Sequence, residues 1–467
     1  MQDVIFREYD IRGKVNSELV IEEVAHLAHA IAYYMLQENP AVKTLAVGMD
    51  GRLHSPQIKD QLVKGLNDSG LDVVFVGVCP SPALYFALHT MQVDGGIMIT
   101  ASHNPKEYNG MKLCLGKEVI WGDKIRKIGQ LYKEGKYTKA EKRGAYQERS
   151  IIDSYVSWLG DHFKHLDGMD LSAVIDCGNG AGGTVMPQLL KKLNWKNVRL
   201  LYQEVDGNYP HHEADPVIEA NMADVKNILA TTDIQVGIGL DGDCDRMAPM
   251  TKEGFLVPGD QLLALFAQQV LKDHPGAAVV FDIKSSSGLI ELLEKWGARP
   301  FISPSGHSII KDKMKEQGAL LGGELSCHFF FNDRYFGYDD GIYSILRLME
   351  MLARSGKSLS ALLRVFPKKF SSPEIRIACK EEEKQMIVKA VKDVFAQRND
   401  ASLITIDGVR ASMPYGWGIV RASNTKAELT IRFESDSEEG LGKVKEDFYK
   451  VLKPYFDDRL LQQRLGL

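Results

Sequence analysis

Residues 44–78 read TLAVGMDGRLHSPQIKDQLVKGLNDSGLDVVFVGV. TLAVGM (44–49) and LDVVFVGV (71–78) are short apolar runs rich in Val, which read as buried strands, and the stretch between them reads as a helix. A further helical stretch leads to a third apolar run, GGIMIT (95–100). The plan restarts at LSAVIDCG (171–178), continues through a helical TVMPQLLKKL and the strand-like VRLLYQEV, and closes with IQVGIGLD (234–241). A third round runs from the helical DQLLALFAQQVLKD through AAVVFDIK (277–284) and SGLIELLEKW to a helix at GIYSILRLMEMLA. Three rounds of alternating strand and helix predict three α/β domains with mixed or mostly parallel sheets.

The last hundred residues follow another plan. EIRIACK reads as a strand and EEEKQMIVKAVKDVFAQR as an amphipathic helix. LITIDGVRASM, GWGIVRAS and AELTIRFES form a strand meander, and EGLGKVKEDFYKVLK is a final helix. Consecutive strands flanked by helices predict a smaller C-terminal α+β domain. The expected domains are 1–148, 149–253, 254–368 and 369–467.

Composition sets outer bounds. A chain of 467 residues exceeds one hydrophobic core. With 44% hydrophobic and 25% charged residues it reads as an ordinary soluble globular protein. A net charge of −5 gives no reason to expect nucleic acid as a partner. The charged start MQDVIFREYDIRGK has no apolar core of a signal peptide, and no apolar run reaches roughly 18 residues, so no membrane span is expected. Six scattered cysteines without a CxxC argue against disulfides and zinc and fit a reducing cytoplasm.

Five segments carry chemistry. In ITASHNPKEYNGMK (99–112) a strand ends at Ser102, an exposed-nucleophile position with His103 beside it, although a plain turn has the same composition. In GLDGDCDRM (239–247) Asp241, Asp243 and Asp245 occupy every second position after a strand. Three close carboxylates repel unless a cation joins them, and an all-oxygen set suits Mg²⁺. The calcium loop template would need Gly and Glu where Arg246 and Lys252 stand. In GGELSCHFFF (322–331) Glu324, Ser326 and His328 alternate, so an extended chain would put them on one face, able to bond sugar hydroxyls. In RASNTKAELTIR (421–432) Arg421, Ser423, Asn424 and Thr425 form a candidate phosphate cradle, or an ordinary hairpin turn. Finally, Gly178, Gly180 and Gly183 in DCGNGAGG match GxGxxG, with Glu204 about twenty residues on, which keeps an NAD(P)-dependent oxidoreductase in view.

Taken together and in order, FREYDIRG, TASHNP with YNGMK, DGDCDR, GGELSCH, FGYDDGIYSILRLMEML and RASNT resemble the α-D-phosphohexomutase family, in its phosphomannomutase/phosphoglucomutase branch, along the entire chain. The resemblance implies three related α/β domains plus a smaller C-terminal domain around a central cleft. They carry in turn a phosphoserine loop, a metal loop, a sugar loop and a phosphate loop. It implies interconversion of hexose 1- and 6-phosphates of glucose and mannose through phosphorylated Ser102, with Mg²⁺ and a hexose 1,6-bisphosphate as activator and intermediate. Phosphoglucosamine mutase is the alternative within the family. In that picture Ser102 and the three aspartates hold Mg²⁺, with Arg246 supporting them. Arg12, Lys112 and His103 lie where a proton moves, and Tyr9, Lys284 and His307 line the cleft. Glu324 and Ser326 contact the sugar, and Arg421 and its neighbours hold the distal phosphate. Partners are then small sugar phosphates, with no nucleic acid or membrane, and the chain is expected to be a monomer or weak dimer. One departure is Cys327, where the family usually carries Gly.

Overall fold

The computed structural model describes residues 1–138, 140–423 and 427–467. The chain forms two compact units. One comprises Met1–Gln269 with Ser326–Leu363, the other Val270–Leu325 with Arg364–Leu467.

The first unit contains two sheets. In the larger, Thr44–Met49 runs parallel to both Asp72–Val78 and Gly95–Ile99. Tyr108–Leu115 lies antiparallel to Gly95–Ile99 and carries Ile11–Lys14 on its outer side, so the sheet is mixed. The helices Val24–Glu38, Ser55–Asp68 and Asp123–Lys133 turn Leu27, Ile31, Ile58, Leu62, Ile125 and Ile128 onto Leu45, Val47, Ile97 and Ile99 in one core. The helix Ser81–Thr90 is buried from Ser81 through Leu88, as its all-round apolar sequence SPALYFAL requires. In the smaller sheet Val236–Leu240 pairs parallel to Ala173–Asp176 and antiparallel to Met247–Thr251. Val174, Val225, Leu229 and Met250 form its core. The apolar run predicted through 205 pairs only over Val198–Leu201, because Tyr202 adopts a positive φ of 48° that ends the strand.

The second unit contains a parallel set, Arg299–Ser303, Ala278–Asp282 and Leu321–Gly323, and the predicted antiparallel meander. In the meander Ser402–Ile404, Val409–Met413, Gly416–Ala422 and Glu428–Ser435 pair in succession, so LITIDGVRASM is two strands and a turn rather than one. The helices Lys384–Ala396 and Glu438–Leu452 cover it through Ile387, Val391, Phe395, Val444 and Phe448. Among the described residues no helix is long and apolar enough to cross a membrane, and the six cysteines form no disulfide.

Candidate functional site

The loops that bear the predicted chemistry in the first unit leave the carboxyl ends of parallel strands, the usual place for ligands in α/β sheets. Gly95–Ile99 ends one residue before Thr100, whose Oγ1 accepts the Ser102 amide at 2.9 Å. Ser102 sits at φ 50°, a left-handed conformation a serine adopts only when its surroundings enforce it. Its Oγ donates to Asp241 Oδ2 at 3.0 Å and lies 3.1 Å from His103 Nδ1. Asn104, two residues on, accepts from Arg12 Nη1 at 2.8 Å, and Arg12 in turn pairs with Asp10.

Val236–Leu240 delivers Asp241, Asp243 and Asp245 into one buried cluster, at most 1% exposed, with ligand oxygens within 4.8 Å of one another. Lys112, from the strand Tyr108–Leu115, bridges Asp243 Oδ2 at 2.7 Å and Asp245 Oδ2 at 2.5 Å. Arg246 donates from Nε to Asp241 Oδ2 at 3.2 Å and pairs with Asp215 at 3.1 Å. Burial pushes the Asp241 carboxyl well above the usual range, helped by Asp245 and opposed by Arg246. For Lys112 burial works against the ammonium, but Asp243 and Asp245 outweigh it and hold the pKa well above normal. Asp243 Oδ1 is buried and has no hydrogen-bond partner among the described residues. An orphaned carboxylate oxygen, in a dry all-oxygen cluster whose carboxylates outnumber its cations, fits a hard divalent ion such as Mg²⁺.

His328 also reaches this cluster. Its Nδ1 lies 3.1 Å from Asp339 Oδ2 and 3.7 Å from Asp245 Oδ1. Its neighbours correct one expectation. Glu324, Ser326 and His328 do not share a strand face, because the chain turns at Leu325–Ser326 between Leu321–Gly323 and Phe329–Phe331. Cys327 takes the left-handed φ of 69° that the turn demands. Tyr9 lies half-buried in the bend before Ile11–Lys14, and Ser326 is half-buried in its turn.

The second unit gathers the remaining residues. Lys284 follows Ala278–Asp282 and pairs with Glu374 at 2.8 Å. Glu324 Oε1 accepts the Gly306 amide at 2.7 Å, just before His307 opens the helix His307–Gln317. Arg421 donates to Asp407 Oδ2 from Nε at 3.0 Å, and the Ser305 amide meets the same oxygen at 3.0 Å. Ser423 receives the Lys384 ammonium on its carbonyl at 2.7 Å. Burial disfavours the Lys284 ammonium, yet Glu374 and Asp282 raise its pKa. Asn424 and Thr425 lie outside the described residues.

The glycine-rich loop does not present itself to a dinucleotide. Its amides are spent within the fold, Gly178 N on Asp176 Oδ1 at 2.8 Å and Ala181 N on Gly242 O at 2.9 Å. Gly180 lies so close to Gly242 that a Cβ would come within 2.7 Å of its carbonyl oxygen. The loop buttresses the aspartate cluster. Sequence reasoning also missed Ser81, whose Oγ and N–H hold the Asp243 carboxylate and carbonyl at 2.5 and 2.9 Å, and it missed Asp215 and Asp339. Ser81 could have been found from its place at the start of a wholly apolar helix, where a polar residue needs a buried partner.

Four sequence profiles of one family match successive parts of the chain: phosphoglucomutase/phosphomannomutase α/β/α domain I over 3–139, domain II over 153–254, domain III over 258–370, and the C-terminal domain over 374–451. A phosphomannomutase/phosphoglucomutase of Pseudomonas syringae pv. tomato is 41% identical over 98% of this chain and 97% of its own. A phosphoglucomutase of Neisseria gonorrhoeae is 37% identical over 96% of each. A solved structure of a phosphoglucomutase/phosphomannomutase family protein from Burkholderia thailandensis superposes with a TM-score of 0.89 at 34% identity, covering 97% of this chain and 98% of that one. The fold and the sequence thus agree on an enzyme of the isomerase class, a mutase. The chain belongs to the phosphoglucomutase/phosphomannomutase family, the α-D-phosphohexomutases.

Proposed function

We propose that this mutase interconverts the 1- and 6-phosphates of glucose and mannose through phosphorylated Ser102 and a hexose 1,6-bisphosphate. The observation that carries this reading is the 3.0 Å contact between Ser102 Oγ and Asp241 Oδ2, which sets a hydroxyl nucleophile against the aspartate cluster.

In the forward half, the bond between phosphorus and Ser102 Oγ breaks as a sugar hydroxyl forms a new bond to the same phosphorus and gives up its proton. In the return half, Ser102 Oγ takes the other phosphoryl group of the bisphosphate, and that sugar oxygen regains a proton. The transferred group spreads its charge over its oxygens, so positioning and charge stabilisation supply most of the rate. Mg²⁺ held by Asp241, Asp243, Asp245 and an oxygen of phosphorylated Ser102 would supply Lewis-acid stabilisation of that charge. His103 Nδ1, 3.1 Å from Ser102 Oγ, is placed to take or return a proton at that oxygen. Lys112, kept protonated by two carboxylates, contributes positive charge and a proton donor rather than a base. Arg246 keeps Asp241 oriented, and Arg12 holds Asn104 in the nucleophile loop.

Recognition falls to Tyr9, Lys284, His307, Glu324, Ser326, His328 and the loop from Arg421 through Ser423, Asn424 and Thr425. Arg421 suits a phosphate through its forked donors. Glu324 and Ser326 take the sugar edge common to both epimers, so nothing here reads C2. The kcat/KM values for glucose 1-phosphate and mannose 1-phosphate should then fall within about a hundredfold of each other, and a preference beyond about a thousandfold would move the chain to a single-substrate branch. The test of the mechanism is the intact mass of the purified protein before and after phosphatase treatment. One phosphoryl group lost, and mapped to Ser102, is the expected result.

A further inference from the structure

The strand Thr44–Met49 ends in a turn, Asp50-Gly51-Arg52, that none of the roles above uses. Arg52 is among the largest fully buried side chains of the protein. Its Nε donates to Asp50 Oδ2 at 3.2 Å. Its other nitrogens all turn to backbone carbonyls of the nucleophile loop and of Tyr108, where the next strand begins. Nη2 reaches Ser102 O at 2.7 Å and Asn104 O at 2.6 Å, while Nη1 reaches Pro105 O at 2.8 Å and Tyr108 O at 3.0 Å. Asp50 is fixed in its turn by Ser55 Oγ at 2.9 Å and the Arg52 amide at 3.1 Å.

The other face of the guanidinium meets the second sheet's loops. The Tyr209 ring lies over it at 5.3 Å, and Gly207 packs so closely on the turn that a Cβ would lie 2.6 Å from Gly51 O. Tyr209 also abuts the aspartate loop, its hydroxyl 3.2 Å from where a Gly242 Cβ would be. One planar cation therefore gathers four carbonyls around Ser102 and is capped by a ring that touches the aspartate loop.

Charge neutrality would need only Asp50. Four loop carbonyls converging on one fork need a geometric reason, and Ser102 provides it. A serine at φ 50° must be held from outside, and carbonyls that point inward together repel unless a donor with spread N–H groups sits among them. We propose that Arg52 is a positioning residue for phosphoryl transfer, which locks the backbone around Ser102 so that Oγ stays at Asp241. Arg52 touches no reacting atom and acts through Ser102 alone. The proposal rests on the reading of Ser102 as the phosphoryl carrier.

Arg52→Lys tests it. The ammonium keeps the charge pair with Asp50 but offers its donors from a single point and cannot span four carbonyls. Kinetics on glucose 1-phosphate at saturating Mg²⁺ should show kcat lower by about a hundredfold, as expected for misplacement on the order of an ångström, with KM changed by less than about threefold. Intact mass followed over time without sugar should show the phosphoserine lost to water roughly tenfold faster, since a loosened loop no longer excludes it. A folded Arg52→Lys whose kcat stays within about fivefold of wild type overturns the proposal, whatever its Tm. If Arg52→Lys does not fold, Tyr209→Leu carries the same test. It should lower kcat by at least about fivefold at unchanged KM, and unchanged kcat overturns the proposal. A wild-type protein with no phosphoryl group on Ser102 would strike the phosphoserine reading instead, and the clamp would still be judged by kcat.

Discussion

Around Asp241, Asp243 and Asp245, three fully buried carboxylates are held by equally buried donors, Lys112, Arg246 and Ser81. Around Lys284 and Arg421 in the second unit the signs are reversed and so is the security of the partners. Glu374 and Asp407, which pair with these two buried cations, keep 23% and 12% of their side chains in contact with water, although Lys284 also has the buried Asp282 at 3.7 Å. A buried carboxylate cluster with an orphaned oxygen is completed by a cation that fits it. A cation paired with a water-accessible carboxylate can exchange that partner for another anion at modest cost, because the carboxylate has solvent to return to. The first region is closed around its carboxylates, and the second leaves the paired Glu374 and Asp407 within reach of solvent.

Removing the proposed phosphoryl carrier should separate the regions most sharply. Ser102→Ala should drop turnover below about a hundredth of wild type while the sugar phosphate still binds, because no covalent route remains. Steady-state kinetics beside equilibrium binding reads both. Next in size, exhaustive chelation should abolish activity and Mg²⁺ should restore it. Asp243→Asn should weaken metal affinity, measured by titration calorimetry, by at least about tenfold. Full activity in chelated buffer would mean that the aspartate cluster works without an ion. Arg421→Ala should act on the exchangeable side only, raising KM by about ten- to a hundredfold through lost charge-assisted bonds while metal affinity stays put.

The smallest effect is on acid stability. Burial alone would raise the Glu374 pKa, but Lys284 and then Arg376 bring it down to about 2 from its usual 4.5. A lowered carboxylate pKa stabilises the folded state above the unfolded value, and that stability is lost as pH falls from about 4.5 through about 2. Glu374→Gln should cost on the order of 2 kcal/mol near neutral pH and flatten the Tm profile across that acid window.

The sheets were legible because buried parallel strands leave apolar runs such as TLAVGM and IQVGIGLD, which the structure pairs over Thr44–Met49 and Val236–Leu240. The aspartate cluster was legible because Asp241, Asp243 and Asp245 are neighbours in sequence as well as in space, whereas the approach of Ser102 to Asp241 spans 139 residues and no local pattern marks it. GGELSCH was misread because alternation says nothing of a turn that a left-handed Cys327 makes possible. DCGNGAGG looked like a nucleotide loop because close packing on Gly242 and close approach to a pyrophosphate both call for glycine. Arg52 and Asp215 stayed hidden because each meets its partner across a long stretch of chain with no local pattern to mark it, whereas Ser81 was marked only by its place at the head of an apolar helix and not by its partner.

Gly242 lies between two backbones, and a Cβ on it would come within 2.6 Å of the Ser102 carbonyl oxygen. The loop that offers the carboxylates and the loop that offers the hydroxyl therefore meet backbone to backbone, with no room for a side chain between them. Such a joint has no play. A shift of either loop toward the other would bring their backbones into collision. It also narrows the routes open to natural variation. Any side chain at that point would act as a wedge, so glycine there sets how closely the aspartates can approach Ser102.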